Sequence, residues 1–91
     1  MRLNRYKSLY LWGDSMNAMF EKELGQRIRF FREKKKLTQE QLSAQMQVNG
    51  CDITRSAVAK IEVGQRHLYP DEIILIRRIL NVPYESIFDI G

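Results

Sequence analysis

The sequence predicts a small all-α domain of five helices. Three observations carry this: apolar residues recur at helical spacing from Phe20 onward, start and stop signals bound each such stretch, and no segment reads as a core strand. Ninety-one residues allow one domain. A chain of that size buries only about 60–65% of its unfolded surface, which leaves little material for a deep enzymatic cleft.

Each element follows from particular residues. Phe20, Leu24, Ile28 and Phe31 recur at spacings of four, four and three and make one apolar stripe, with Arg27, Arg29, Lys34 and Lys35 largely off it. The first helix is expected from about Asn17 to Lys36. Thr38 followed by Gln41 is a capping box, which starts a second helix with Leu42 and Met46 on its apolar face. Asn49-Gly50 supplies left-handed residues, so this helix should stop near Val48, and Cys51-Asp52-Ile53 continues the loop. Thr54 caps a third helix, Arg55 to Val63, with Val58 and Ile61 pointing inward and Gly64 just past its end. Pro70 in a first turn, with Asp71 and Glu72 at the positive end of the dipole, opens a fourth helix. Ile73, Ile76 and Leu80 line its inner face and Asn81 closes it. Pro83 opens a short fifth helix through Phe88, anchored by Ile87 and Phe88.

Composition excludes several classes of function. The single cysteine rules out an internal disulfide and a multi-cysteine zinc cluster, and one histidine, His67, cannot form a His-based metal site or catalytic pair within a chain. No glycine-rich phosphate loop appears, and no apolar run approaches the ~20 residues that span a bilayer. Leu9-Tyr10-Leu11-Trp12 is too short for a signal-peptide core. Nucleophile, base and metal ligands are missing as a constellation, so no enzyme and no cofactor is expected. A reducing cytosol is the expected compartment, and Cys51 reads as an inert thiol.

The net charge of +4 is uneven. Residues 1–36 hold ten Lys/Arg against four Asp/Glu, residues 37–68 hold three of each, and residues 69–91 hold two against four. The basic first third, ending in Lys34-Lys35-Lys36, suits an anionic partner, although the three lysines themselves read as a solvated face.

Three runs carry a resemblance: Leu24-Gly25-x-Arg27-Ile28-Arg29-x-x-Arg32, then Leu37-Thr38-Gln39-x-x-Leu42-Ser43, then Ile53-Thr54-Arg55-Ser56-x-Val58-x-Lys60-Ile61-Glu62-x-Gly64-x-Arg66. With the tail Leu80-Asn81-Val82-Pro83-x-Glu85-x-Ile87-Phe88, they resemble the phage-repressor-like, xenobiotic-response-element type of helix-turn-helix protein over roughly residues 20–90. The resemblance implies a five-helix lambda-repressor-like fold and a DNA-binding transcriptional regulator, a repressor, that binds double-stranded DNA as a homodimer. It makes the third helix the recognition helix, presenting Arg55, Ser56, Ala59, Lys60 and Val63 opposite Val58 and Ile61. Thr54 stands at its start. Arg55 would read guanine or hold a phosphate, Gln39 would meet the DNA backbone, and Gln65, Arg66 and His67 would touch flanking phosphates. Arg32 and Glu62 match positions that form a structural ion pair.

The sequence also departs from that pattern. Gln47 stands where the family has a glycine, and Val48-Asn49-Gly50-Cys51-Asp52 lengthens the turn between the second and third helices. Ser43 replaces an alanine, and Arg77 occupies a position that is usually small. Residues 1–19 have no counterpart, so residues 1–16 read as an extension and residues 17–91 as the domain. The segment 1–15 is read either as untranslated, with Met16 or Met19 as the start, or as real, pairing as a strand across a dimer or lying as an arm along DNA. In the first case Trp12-Gly13-Asp14 permits a purine-rich ribosome-binding stretch. Tyr84, Ile87, Phe88 and Ile90 are expected at a dimer contact. The alternative function is a protein-interaction module on the same fold, an antitoxin or a partner-sequestering regulator, because Ala59 and Val63 make the recognition face less polar.

Overall fold

The computed structural model describes residues 14–88, with side chains from Met19 onward. The readings made on the segment before Asp14, and on Ile90, lie outside the described residues. Five helices follow one another: α1 (Asp14–Lys34), α2 (Gln39–Val48), α3 (Arg55–Glu62), α4 (Pro70–Leu80) and α5 (Tyr84–Phe88). Among the described residues there is no strand.

Every helix contributes to one core. Leu24 and Ile28 come from α1, Leu42 and Met46 from α2, Val58 and Ile61 from α3, Ile76 and Leu80 from α4, and Ile87 from α5. Ile53, which reads as loop in the sequence, is buried among them. Phe20, Phe31 and Phe88 pack against this cluster. Two of the four apolar residues expected at a dimer contact are therefore engaged in their own core: Ile87 is 1% exposed and Phe88 is half-buried. Tyr84 remains exposed, with the Arg77 guanidinium 4.5 Å over its ring. Arg77, at a position expected to be small, is accommodated half-buried against this ring, with its Nε buried without a hydrogen-bond partner.

α1 lies against α3 at the distance of bare backbone. A Cβ on Gly25 would stand 2.1 Å from the Ile61 carbonyl oxygen, so only glycine permits this crossing. α5 is tied back to α1 by Arg27 Nε, which donates to the Ser86 carbonyl at 3.0 Å. Lys35 Nζ donates to the Ile79 carbonyl at 2.7 Å, satisfying an acceptor in the last turn of α4.

Helix ends differ from the sequence reading by a few residues. α1 begins at Asp14 rather than near Asn17 and stops at Lys34, because Lys36 takes a left-handed φ of 62°. α3 ends at Glu62 with Val63 as its cap, and α5 begins at Tyr84 rather than Pro83. After α2 only Gly50 is left-handed, with φ 87°, whereas Asn49 has φ −92°.

Candidate nucleic-acid interface

α3 is two-faced. Val58, Ile61 and Glu62 are buried, Arg55, Ser56 and Lys60 are exposed, and Ala59 is half-buried at the border. Thr54 caps the helix, its hydroxyl accepting from the Ala57 N–H at 3.1 Å. That hydroxyl still has its own hydrogen to donate outward.

The last turn of α3 is locked to α1 and α2 through one carboxylate. Arg32 donates from Nε to Glu62 Oε2 at 2.6 Å and from Nη2 to Oε1 at 3.0 Å, and both side chains are almost fully buried. Arg32 Nη1 donates to the Leu37 carbonyl at 2.7 Å, and Gln39 Nε2 donates to Glu62 Oε1 at 3.0 Å. The hydrogen-bonded Glu62 carboxylate raises the Arg32 pKa above its ordinary value despite burial. Gln39 thus stands half-buried at the start of α2, with one side-chain N–H on Glu62. The Thr38 capping box fixes that helix start: Gln41 N–H donates to the Thr38 hydroxyl at 3.0 Å, and Thr38 N–H to Gln41 Oε1 at 2.8 Å.

The lengthened turn has its own clasp. Ser43 Oγ and Gln47 Nε2 both donate to the Ile53 carbonyl, at 3.1 and 2.8 Å. The two residues that depart from the family pattern on α2 therefore hold the chain immediately before the α3 cap. Buried Ile53 plugs the turn from below.

Beyond α3 the three residues expected on phosphates differ in what they touch. Gln65 is exposed. Arg66 pairs with Glu72 through Nη1 at 2.8 Å and Nη2 at 2.9 Å, and Nη1 also reaches the His67 carbonyl at 2.8 Å. The charge of Arg66 is therefore balanced inside the protein. The hydrogen bonds from Arg66 and from the Tyr69 N–H outweigh burial and hold the Glu72 carboxyl below its ordinary pKa. His67 Nδ1 lies 2.7 Å from Glu21 Oε1 on α1. Below this loop, Gly64 has φ 77°, and a Cβ there would meet Lys22 Cα at 2.7 Å.

Sequence reasoning missed Glu21, Ser43, Gln47 and Glu72 as partners within this region. Glu72 read only as a favourable charge at a helix start. Ser43 and Gln47 stood out as departures, which was the available signal, but their shared acceptor is a backbone carbonyl that no side-chain pattern marks.

Five helices, with the second and third packed across a turn and the polar face of the third turned outward, define a helix-turn-helix domain. The helix-turn-helix family model matches residues 28–87, more than half of the chain. The chain belongs to this family, of the phage-repressor-like, xenobiotic-response-element type, a family of DNA-binding transcription regulators. No curated protein and no solved structure matches it. Among the described residues no helix is long and apolar enough to cross a membrane.

Proposed function

We propose that residues 17–91 form a sequence-specific transcriptional repressor that acts as a homodimer and reads the major groove with α3. The observation that carries this reading is the split surface of α3: a buried, ion-paired inner face beneath exposed Arg55, Ser56 and Lys60. In this reading Arg55 donates to guanine O6/N7 or to a phosphate, Lys60 and Ser56 approach base edges, and Ala59 offers an apolar contact for a thymine methyl. Gln39, Thr54, Gln65 and His67 reach the backbone, and Arg66 contributes by holding the loop around them. Arg32 and Glu62 keep α3 at its angle. Selection of bound sequences from a random DNA pool tests the proposal. The expected result is a palindromic consensus with half-sites about one helical turn apart. Placed at a promoter, that consensus should make reporter expression fall when the protein is present. Sedimentation showing only monomer, with and without this DNA, would remove the dimer.

The rival reading, a protein-interaction module, draws on two exposed apolar residues that bracket α3, Val48 and Val63. Gel-shift titration at two salt concentrations separates the readings. A DNA reader loses affinity as salt rises, and an interaction module binds no duplex at either.

A further inference from the structure

The loop between α3 and α4 contains two side chains able to carry positive charge, Arg66 and His67. Arg66 is neutralised by Glu72. If this loop offers a cation to an anion outside the protein, the cation is His67. The ring is open to solvent, 76% exposed, while its partner Glu21 is only 22% exposed, so the carboxylate is the fixed member of the pair. With Nδ1 donating to Glu21, the opposite nitrogen, Nε2, faces away from the protein. In the neutral ring Nε2 is an acceptor and repels a phosphate oxygen; in the protonated ring it is a donor and binds one.

We propose that Glu21 positions His67 as a proton-linked phosphate contact, so that DNA binding through this loop takes up one proton from solvent. The proposal rests on the reading that the α3 side of the molecule faces DNA. Glu21 is a positioning residue: it holds Nδ1 at 2.7 Å and so fixes the direction of the ring, and with it the place of Nε2. Of the charged residues on the elements packed here, Lys22 on α1 has its backbone against Gly64, and Arg66 bonds the His67 carbonyl and is balanced by Glu72 at the start of α4. Glu21 lies outside residues 28–87, over which the family model matches.

Fluorescence anisotropy with a labelled duplex, random or selected, tests this at two pH values on either side of the histidine range, about 6 and 8. Wild-type protein should bind roughly three- to tenfold more tightly at the lower pH, the effect of one exposed charged hydrogen bond. The step should vanish in His67→Gln, shrink in Glu21→Gln and persist in Arg55→Ala, which weakens binding at both pH values. His67 is the only histidine, so a single imidazole resonance reports its titration in the unaltered protein. That resonance should titrate at higher pH when the duplex is bound. A pH step of full size in His67→Gln, or a resonance that the duplex does not move, overturns the proposal. A wild-type protein that binds no duplex at either pH overturns the DNA-binding reading itself, and the proposal with it.

Discussion

Glu62 accepts three hydrogen bonds through a side chain that is 1% exposed, from Arg32 twice and from Gln39 once. Water has little access to replace those partners, so each side of the pair depends on the other. Glu62→Gln keeps the shape and removes the charge, which leaves Arg32 buried without an anion. The expected loss is about 3–5 kcal/mol in urea unfolding, the cost of breaking a buried pair from one side. The Arg66–Glu72 pair makes a different prediction, because it is pH-dependent. Glu72 has a lower pKa in the folded protein than in the unfolded chain, so the unfolded state binds its proton first as pH falls. Its stabilisation is full above the ordinary glutamate value of about 4.3 and is lost as pH falls through the lower folded value. Melts of the wild type and Glu72→Gln across that range should differ most at neutral pH and converge in acid.

At the scale of the element, four helices end by one geometry. Leu37, Cys51, Gln65 and Val82 each donate a backbone N–H to the carbonyl five residues back, to Arg32, Met46, Lys60 and Arg77. The residues just before them, Lys36, Gly50, Gly64 and Asn81, take the left-handed conformation that closes the helix. Glycine or asparagine marks three of these ends in the sequence, and there the ends are legible to within a residue or two. At the fourth a lysine takes the same conformation, which is why the sequence reading places the end of the first helix two residues too far along. Lys36 is exposed, so Lys36→Gly should remove the left-handed penalty and stabilise the fold by about 0.5–1 kcal/mol, measured as a shift in the urea midpoint. The apolar stripes of α1 through α3 are legible because burial follows helical spacing; on α4 Ile76 and Leu80 are buried as expected, but Ile73 is only half-buried and Leu75 and Ile79 pack against the core instead. Ile53 is not, since one apolar residue between a turn and a cap has no period to reveal its burial.

For the molecule as a whole, the arrangement of helices, rather than any single one, decides what α3 can present. Gly25 lets α1 approach α3, the Arg32–Glu62 pair fixes the far end, and Ser43 and Gln47 hold the lengthened turn at the near end. The outer face of α3 was legible from sequence because it is the complement of Val58 and Ile61. The engagement of Arg66 within the protein was not, because its partner belongs to the next helix and basic residues after a recognition helix look alike from sequence. This separation of duties sets the last prediction. Arg55 and Lys60 are exposed and hold nothing in place, so Arg55→Ala and Lys60→Ala should change the melt by less than about 0.5 kcal/mol. Both should weaken binding to the selected duplex. The salt dependence then assigns each side chain its role. A residue that holds a phosphate lowers the slope of log affinity against log salt by about 0.9 when removed, and does so on every sequence. A residue that reads a base leaves the slope unchanged and relaxes the consensus at one position, by about 1–3 kcal/mol. Binding curves at several salt concentrations, on the selected duplex and a scrambled one, distinguish these outcomes for each variant. Full affinity on the selected duplex for both variants, with melts unchanged, would take α3 out of the DNA interface.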